Sequence, residues 1–169
     1  MPLDQITNSN TKNKVFTIEH TVYFNETNAV GGVVYFSNYV KWQGMAREEY
    51  FIQTVPSWQE IMNYVISGQL NMITVEEHSH FVQHAFFGDQ ISIRLQTTNI
   101  RKYSFDMVFF ISNSKTGQLL YEGTQKLAFD DFKGKFIEIP QEMLKSVKEH
   151  RIPEDDLQFC RLNKYFLRE

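Results

Sequence analysis

A chain of 169 residues and 20.0 kDa is the length of one ordinary domain and is short for two. With 42% hydrophobic and 22% charged residues it is not a disordered chain, and a formal charge of −3 with a pI of 6.0 provides no whole-chain basic field for nucleic acid. The single cysteine, Cys160, excludes an internal disulfide framework and a cysteine-only zinc site, and apolar runs as short as Met107–Ile111 exclude a membrane-spanning segment.

The polar start, Met1 to Lys14, lacks the apolar core of a secretory signal, so a soluble cytoplasmic protein is expected. Residues 1–13 read as a flexible leader, 14–150 as one domain and 151–169 as a tail. The unusual feature is aromatic content: 15 Phe and 8 Tyr imply a large core, an aromatic-lined pocket or a buried subunit interface.

Val15 to Phe24 alternates, with Phe16, Ile18, Val22 and Phe24 on one face, and reads as a half-buried strand. His20 falls on its apolar side as a hydrogen-bonded core histidine. Asn25 to Gly32 is turn chemistry. From Ser37 or Asn38 to Gln53 a helix follows, in which Tyr39, Trp42, Ala46 and Tyr50 share one face. Gly44 weakens that helix by about 1 kcal/mol relative to Ala. Pro56 ends it, and Ser57 opens a shorter helix to about Ser67.

Met72 to His84 then reads as one long extended segment, and Asp89–Asn99, Ser104–Ser112 and Leu119–Asp130 alternate as strands, with a hairpin turn at Asn113–Gly117. Pro140 opens a last helix whose acid lies early and whose bases lie late. The tail beyond Pro153 carries Leu157, Phe159, Leu162, Tyr165, Phe166 and Leu167, and such a tail has to pack on the domain or on a neighbouring subunit. The sum is an α+β chain. Five antiparallel strands need one face covered, and a curved sheet wrapped around one long helix is the hotdog fold.

The segment from His20 to Phe51, HTVYFNETNAVGGVVYFSNYVKWQGMAREEYF, resembles the hotdog-fold thioesterases of the 4-hydroxybenzoyl-CoA thioesterase class. In that class an acidic turn precedes Gly, Val, a Tyr or Phe pair, Asn-Tyr and a helical Trp. Where the class carries its catalytic aspartate this chain has Asn28, and an amide is neither a carboxylate nucleophile nor a general base near neutral pH. The run Glu26-Thr27-Asn28, Tyr35-Phe36, Trp42-Gln43-Gly44 and Arg47-Glu48 is most similar to the stand-alone thioesterases of enediyne-type iterative polyketide synthases. Between Asn28 and Tyr35 this chain carries one residue more than they do.

The resemblance implies hydrolysis of an acyl thioester, most specifically release of a polyketide or polyene chain from an acyl-carrier domain. A general acyl-CoA thioesterase and a non-catalytic acyl-binding domain are the alternatives. It implies a homo-oligomer, dimer or tetramer, and an exposed sheet edge gives the physical reason for one. No cofactor or metal is expected. The backbone amides of Tyr35 or Phe36 would meet the thioester oxygen at a helix start. Asn28 would orient water or bond the acyl carbonyl, or else simply form the turn.

Arg47 would stabilise developing negative charge, against the alternative of a surface arginine paired with Glu48 or Glu49. Tyr39 would donate a hydrogen bond, or be an ordinary core aromatic. Glu48 is the one obvious carboxylate beside these groups and so the candidate base or nucleophile, although a salt bridge would also account for it. Glu26 is expected to face solvent. His78, His80 and His84 on one strand face read as structural. The aromatics Phe81, Phe86, Phe87, Phe105, Phe109, Phe110, Tyr121 and Phe129 would divide between core and an apolar acyl tunnel.

Overall fold

A computed structural model describes residues 13–153 and Asp156. All but Asn13 of the leader expected over 1–13, and most of the tail over 151–169, lie outside the described residues. Five strands, β1 (Phe16–Thr21), β2 (Asn71–Phe81), β3 (Gln90–Thr98), β4 (Ser104–Asn113) and β5 (Leu119–Asp130), form one antiparallel sheet in the order β1-β3-β4-β5-β2. Three helices accompany it: α1 (Ser37–Thr54), α2 (Trp58–Ile66) and α3 (Gln141–Glu149). This is the hotdog architecture, with α1 against the inner face of the sheet.

Register explains the core. Leu95 lies opposite Phe16 on one side and Phe109 on the other, and Ile93 lies opposite Ile18 and Ile111, so apolar rows run across the strands. Successive residues of a strand point to opposite faces, so this register puts Ile91, Ile93, Leu95, Phe105, Met107, Phe109 and Phe129 on the inner side. They are buried there with Tyr39, Trp42, Ala46 and Tyr50 of α1. Helix α3 is tied to the far end of α1 by a buried polar knot. Ser146 Oγ lies 3.0 Å from Tyr50 Oη and donates to Thr54 Oγ1 at 2.6 Å. Burial pushes the Tyr50 phenol up to about 12, so it stays neutral.

Two strand ends differ from the alternation. Strand β1 stops at Thr21, and Phe24, expected inside, is 63% exposed in the short 3-10 turn Phe24–Glu26. The Tyr23 amide donates to the Glu26 carboxylate and the Glu26 amide to the Tyr23 carbonyl, which curls the chain out of the sheet. Strand β2 stops at Phe81, because the Val82 and Gln83 amides both turn onto the Leu120 carbonyl. His84 is therefore not on the strand, and His78 and His80 do not share a face with it. An irregularity between Thr74 and Glu76 makes Val75 an extra residue in β2, opposite no partner of its own.

At Gly123 on β5 the Gln43 side chain of α1 lies directly against the sheet backbone. A Cβ there would meet Gln43 Nε2 and Tyr121 Cε1, both at 2.6 Å. Gly123→Ala is expected to cost about 1–3 kcal/mol through overpacking. Urea unfolding monitored by tryptophan fluorescence measures it, and a change within 0.5 kcal/mol (about the noise of a neutral surface substitution) would refute the contact.

Candidate active site

The site begins at a buried carboxylate. Glu26, only 5% exposed, was expected in solvent, and the structure corrects this. Its Oε1 accepts Trp42 Nε1–H at 2.7 Å, its Oε2 accepts the Tyr23 amide at 2.8 Å, and His20 Nε2 stands 3.0 Å from both oxygens. Burial raises the acid's pKa, but the bonds from Trp42, Tyr23 and His20 outweigh it and hold Glu26 below the ordinary carboxylate range. The Glu26 carbonyl in turn accepts the Tyr35 amide at 3.0 Å and Asn38 Nδ2–H at 2.7 Å. One residue thus pins the turn to the start of α1.

From this anchor the chain makes a tight hairpin. The Asn28 amide donates to the Val33 carbonyl at 2.8 Å, and Thr27 bridges to Val34. Gly31 and Gly32 close it with φ of +82° and +62°, which side-chain-bearing residues rarely adopt. Asn28 is exposed at the mouth of an open pocket of 780 Å³ that is also lined by Phe36, Tyr39, Phe81, His84 and Phe86.

Tyr39 reaches this pocket from α1. Its hydroxyl accepts the Ala85 amide at 3.0 Å, which leaves its own proton available to a ligand. Burial raises the Tyr39 phenol, so it remains a donor at neutral pH. At the helix start the Tyr35 amide is taken by Glu26, and the Asn38 and Tyr39 amides by the Tyr35 and Phe36 carbonyls. Among the described residues no side chain caps α1, and no backbone acceptor takes the Phe36 amide. Of the two amides considered for the oxyanion, Phe36 is the one left to donate.

Arg47 stands two turns further along α1, about 12 Å from Tyr39 along the axis. It pairs with neither Glu48 nor Glu49. Its Nη1 donates to Thr74 Oγ1 at 2.8 Å and to Gln125 Oε1 at 2.9 Å, and its Nε is buried without an acceptor among the described residues. Burial lowers its pKa, opposed by the charge of Glu48. One turn back, Gln43 donates to Tyr121 Oη, which also meets Ser79 Oγ at 2.6 Å, and Ser79 donates to Glu77 at 2.6 Å. This polar cluster fills the space between α1 and the inner side of β2 and β5. Glu48 points outward and is exposed.

In one chain, then, Asn28, Tyr35, Phe36 and Tyr39 gather at one pocket, while Arg47 and Glu48 are placed elsewhere. The sequence reading set Glu26 in solvent, gave Gln43 no role beyond its place in the motif, took Tyr121 only as a core or tunnel aromatic and did not single out Glu77. The signal available for Glu26 was its place six residues after His20. Among the described residues no group of three His, Cys, Asp or Glu side chains is arranged to hold a metal ion, and no helix is long and apolar enough to cross a membrane.

The sequence matches the thioesterase-like superfamily over residues 10–147. The chain belongs to that family. It is a thioester hydrolase of the hotdog fold. No curated protein sequence matches it. Among solved structures, the dynemicin thioesterase, studied for its polyene binding, is 26% identical, with a TM-score of 0.74, over 83% of this chain and 99% of that one. A 1,4-dihydroxy-2-naphthoyl-CoA thioesterase from Synechocystis is 24% identical at TM-score 0.73, over 80% of this chain and 96% of that one. The 4-hydroxybenzoyl-CoA thioesterase of Pseudomonas sp. strain CBS-3 is 23% identical at 0.67, over 79% and 99%. At the last two identities the likeness is one of fold.

Within this thioesterase the Glu26 clamp makes a pH-dependent prediction. Because its folded pKa lies below the usual value, its stabilisation is present above pH 4.5 and is lost as pH falls through the folded pKa. Glu26→Gln is expected to cost about 2 kcal/mol at neutral pH, the scale of bonds to a charged group. That difference should shrink as pH falls below about 4. Urea titrations of both proteins at several pH values test this, and a gap independent of pH would show that the charge contributes nothing.

Proposed function

We propose that this thioesterase releases a long, apolar acyl chain, of the polyketide or polyene kind, from the thiol of an acyl-carrier domain, and that it acts as a homo-oligomer. The observation that carries the chemistry is Asn28 at the pocket mouth beside Tyr39 and the Phe36 amide, with no carboxylate among them. An amide cannot take the water's proton or attack as an anion. The carbonyl is therefore polarised by donors: the Phe36 amide and the Tyr39 hydroxyl face the oxygen where charge develops, and Asn28 orients the water. The aromatic walls at Phe36, Phe81 and Phe86 suit an extended acyl chain, and the likeness to a polyene-binding thioesterase supports that choice. The coenzyme A substrates in the names of the Synechocystis and Pseudomonas relatives favour a second reading, an acyl-CoA thioesterase.

Arg47 is the remaining donor. It sits in a cluster of its own, separated from Asn28 within one chain, so the reading has it meet the pocket of a second copy. Strand β2 supports such pairing, because it is an edge strand of eleven residues whose Val75 and Phe81 are exposed. Dimer and tetramer are both compatible with that edge. Light scattering is expected to give at least twice the chain mass, and a stable 20.0 kDa monomer at micromolar concentration would overturn the shared site.

Thiol release, followed with a thiol-trapping dye on acyl-carrier and acyl-CoA substrates, tests the chemistry. Arg47→Ala is expected to lower the rate by about 10²–10³, the usual effect of removing one charge-stabilising donor. Glu48→Gln keeps the shape, deletes only the charge, and should leave the rate within a few-fold. The opposite pattern, with Glu48→Gln inactive and Arg47→Ala nearly normal, would make the helix carboxylate the base or nucleophile.

A further inference from the structure

Hydrolysis of a thioester moves a proton twice: the attacking water sheds one, and the departing sulfur gains one. None of the groups placed at the pocket so far can carry it. The Asn28 amide neither takes nor gives a proton near neutrality. Burial raises the Tyr39 phenol, so it stays protonated, and the Phe36 backbone amide only donates. An imidazole is the side chain suited to both tasks near pH 7. Among the described residues, His84 supplies the one imidazole on the pocket wall, and no lysine, arginine or carboxylate lines it.

The fold places His84 there by sewing its loop to the Asn28 hairpin and to α1. The Val34 amide donates to the Ala85 carbonyl at 2.9 Å, the Phe87 amide donates to the Gly32 carbonyl at 2.9 Å, and Val33 pairs with Phe86. The Ala85 amide donates to Tyr39 Oη at 3.0 Å. His84 immediately precedes Ala85, so peptide geometry sets its Cα within about 6 Å of the hydroxyl that faces the substrate oxygen. Ala85 is fully buried and clamps the loop, whereas His84 beside it is exposed and lines the pocket.

The imidazole meets the Phe86 ring edge-on, 6.5 Å between centroids, and has no hydrogen-bond or ion-pair partner among the described residues. Both ring nitrogens are open to a ligand. The carboxylates of the neighbouring segments are engaged elsewhere. Asp89 Oδ2 accepts the Phe86 amide at 2.8 Å, and Glu26 is bonded to Trp42, Tyr23 and His20. A histidine held structurally would spend at least one nitrogen on the protein. His84 spends neither.

We propose that His84 is the proton carrier of the reaction, a catalytic group acting with Asn28, Tyr39 and the Phe36 amide; this rests on the reading that the Asn28 pocket holds the thioester. The neutral imidazole takes a proton from the water that Asn28 orients, as the water oxygen bonds to the carbonyl carbon. The Phe36 amide and the Tyr39 hydroxyl hold the resulting oxyanion. As the carbonyl re-forms, the C–S bond breaks and the imidazolium gives its proton to the departing sulfur. The products are a carboxylic acid, a thiol and neutral His84.

Steady-state thiol release by the full chain, on lauroyl-CoA and on lauroyl-carrier protein, tests this. His84→Gln keeps a hydrogen-bonding amide but cannot carry a proton, and it should lower kcat by about 10²–10⁴ with KM within a few-fold. His84→Ala should lose as much, and added imidazole should restore part of its rate in a saturable way, which a merely structural role would not show. Because His84 is exposed, both variants should keep the native urea midpoint. Tyr39→Phe is the control for the pocket itself. Loss of rate in Tyr39→Phe with none in His84→Gln would overturn the proposal and keep the pocket reading, whereas full activity in both would overturn the two together. A His84→Gln defect confined to KM would also overturn it, making His84 a binding group.

Discussion

A single desolvated charge organises the neighbourhood of the site. A carboxylate removed from water is costly unless every lone pair finds a donor. Glu26 meets that demand with an indole, a backbone amide and an imidazole drawn from three stretches of chain. Those bonds fix where β1 ends, how the Asn28 hairpin sits and where α1 begins. They also decide which amide of the helix start is free, because the carbonyl of the same residue consumes the one from Tyr35. The availability of the Phe36 amide is thus a by-product of satisfying a buried acid on the far side of the Asn28 hairpin.

The second organising feature is the cluster beneath β2. Arg47 is held by the neutral oxygens of Thr74 and Gln125, with no carboxylate among the described residues in bonding contact. A guanidinium solvated by dipoles keeps most of its field, whereas one paired to an acid is largely neutralised. The absence of a side chain at Gly123 lets Gln43 lie flat against the sheet, which orders the other half of the cluster. Both halves hang from one face of α1, one turn apart. The helix that fills the core also carries the polar groups.

Much of the fold was legible because its signals are local. The alternation of β3, β4 and β5 and the spacing of Tyr39, Trp42, Ala46 and Tyr50 gave the strands, the long helix and its buried side. Strand order depends on pairings far apart in sequence and was not readable that way. Likewise Arg47 reaches Thr74 and Gln125, 27 and 78 residues away, so a local reading weighed only its neighbours Glu48 and Glu49. Glu26 was misplaced for a related reason: a charged residue in a turn is usually solvated, and its donors Trp42 and His20 are recognisable only once the turn is folded. Phe24 followed the strand's parity until that same carboxylate broke it.

The extra residue in β2 governs parity. Side chains alternate along a strand, so one unpaired residue exchanges the two faces for everything downstream. Because Val75 is that residue, Glu77 and Ser79 point toward α1 while Glu76, His78 and His80 line up with the opposite row of β5. Deleting Val75 would leave Thr74 and Glu76 opposite Leu127 and Lys126 and every side chain on its present face. Drawing Val75 into the ladder would instead interchange the two sets, bringing imidazoles beneath the helix and sending the carboxylate and hydroxyl outward. The same sequence paired without the irregularity would present an entirely different chemical lining beside Arg47. The identity of that lining is therefore set by one residue left out of the pairing as much as by the kinds of residue.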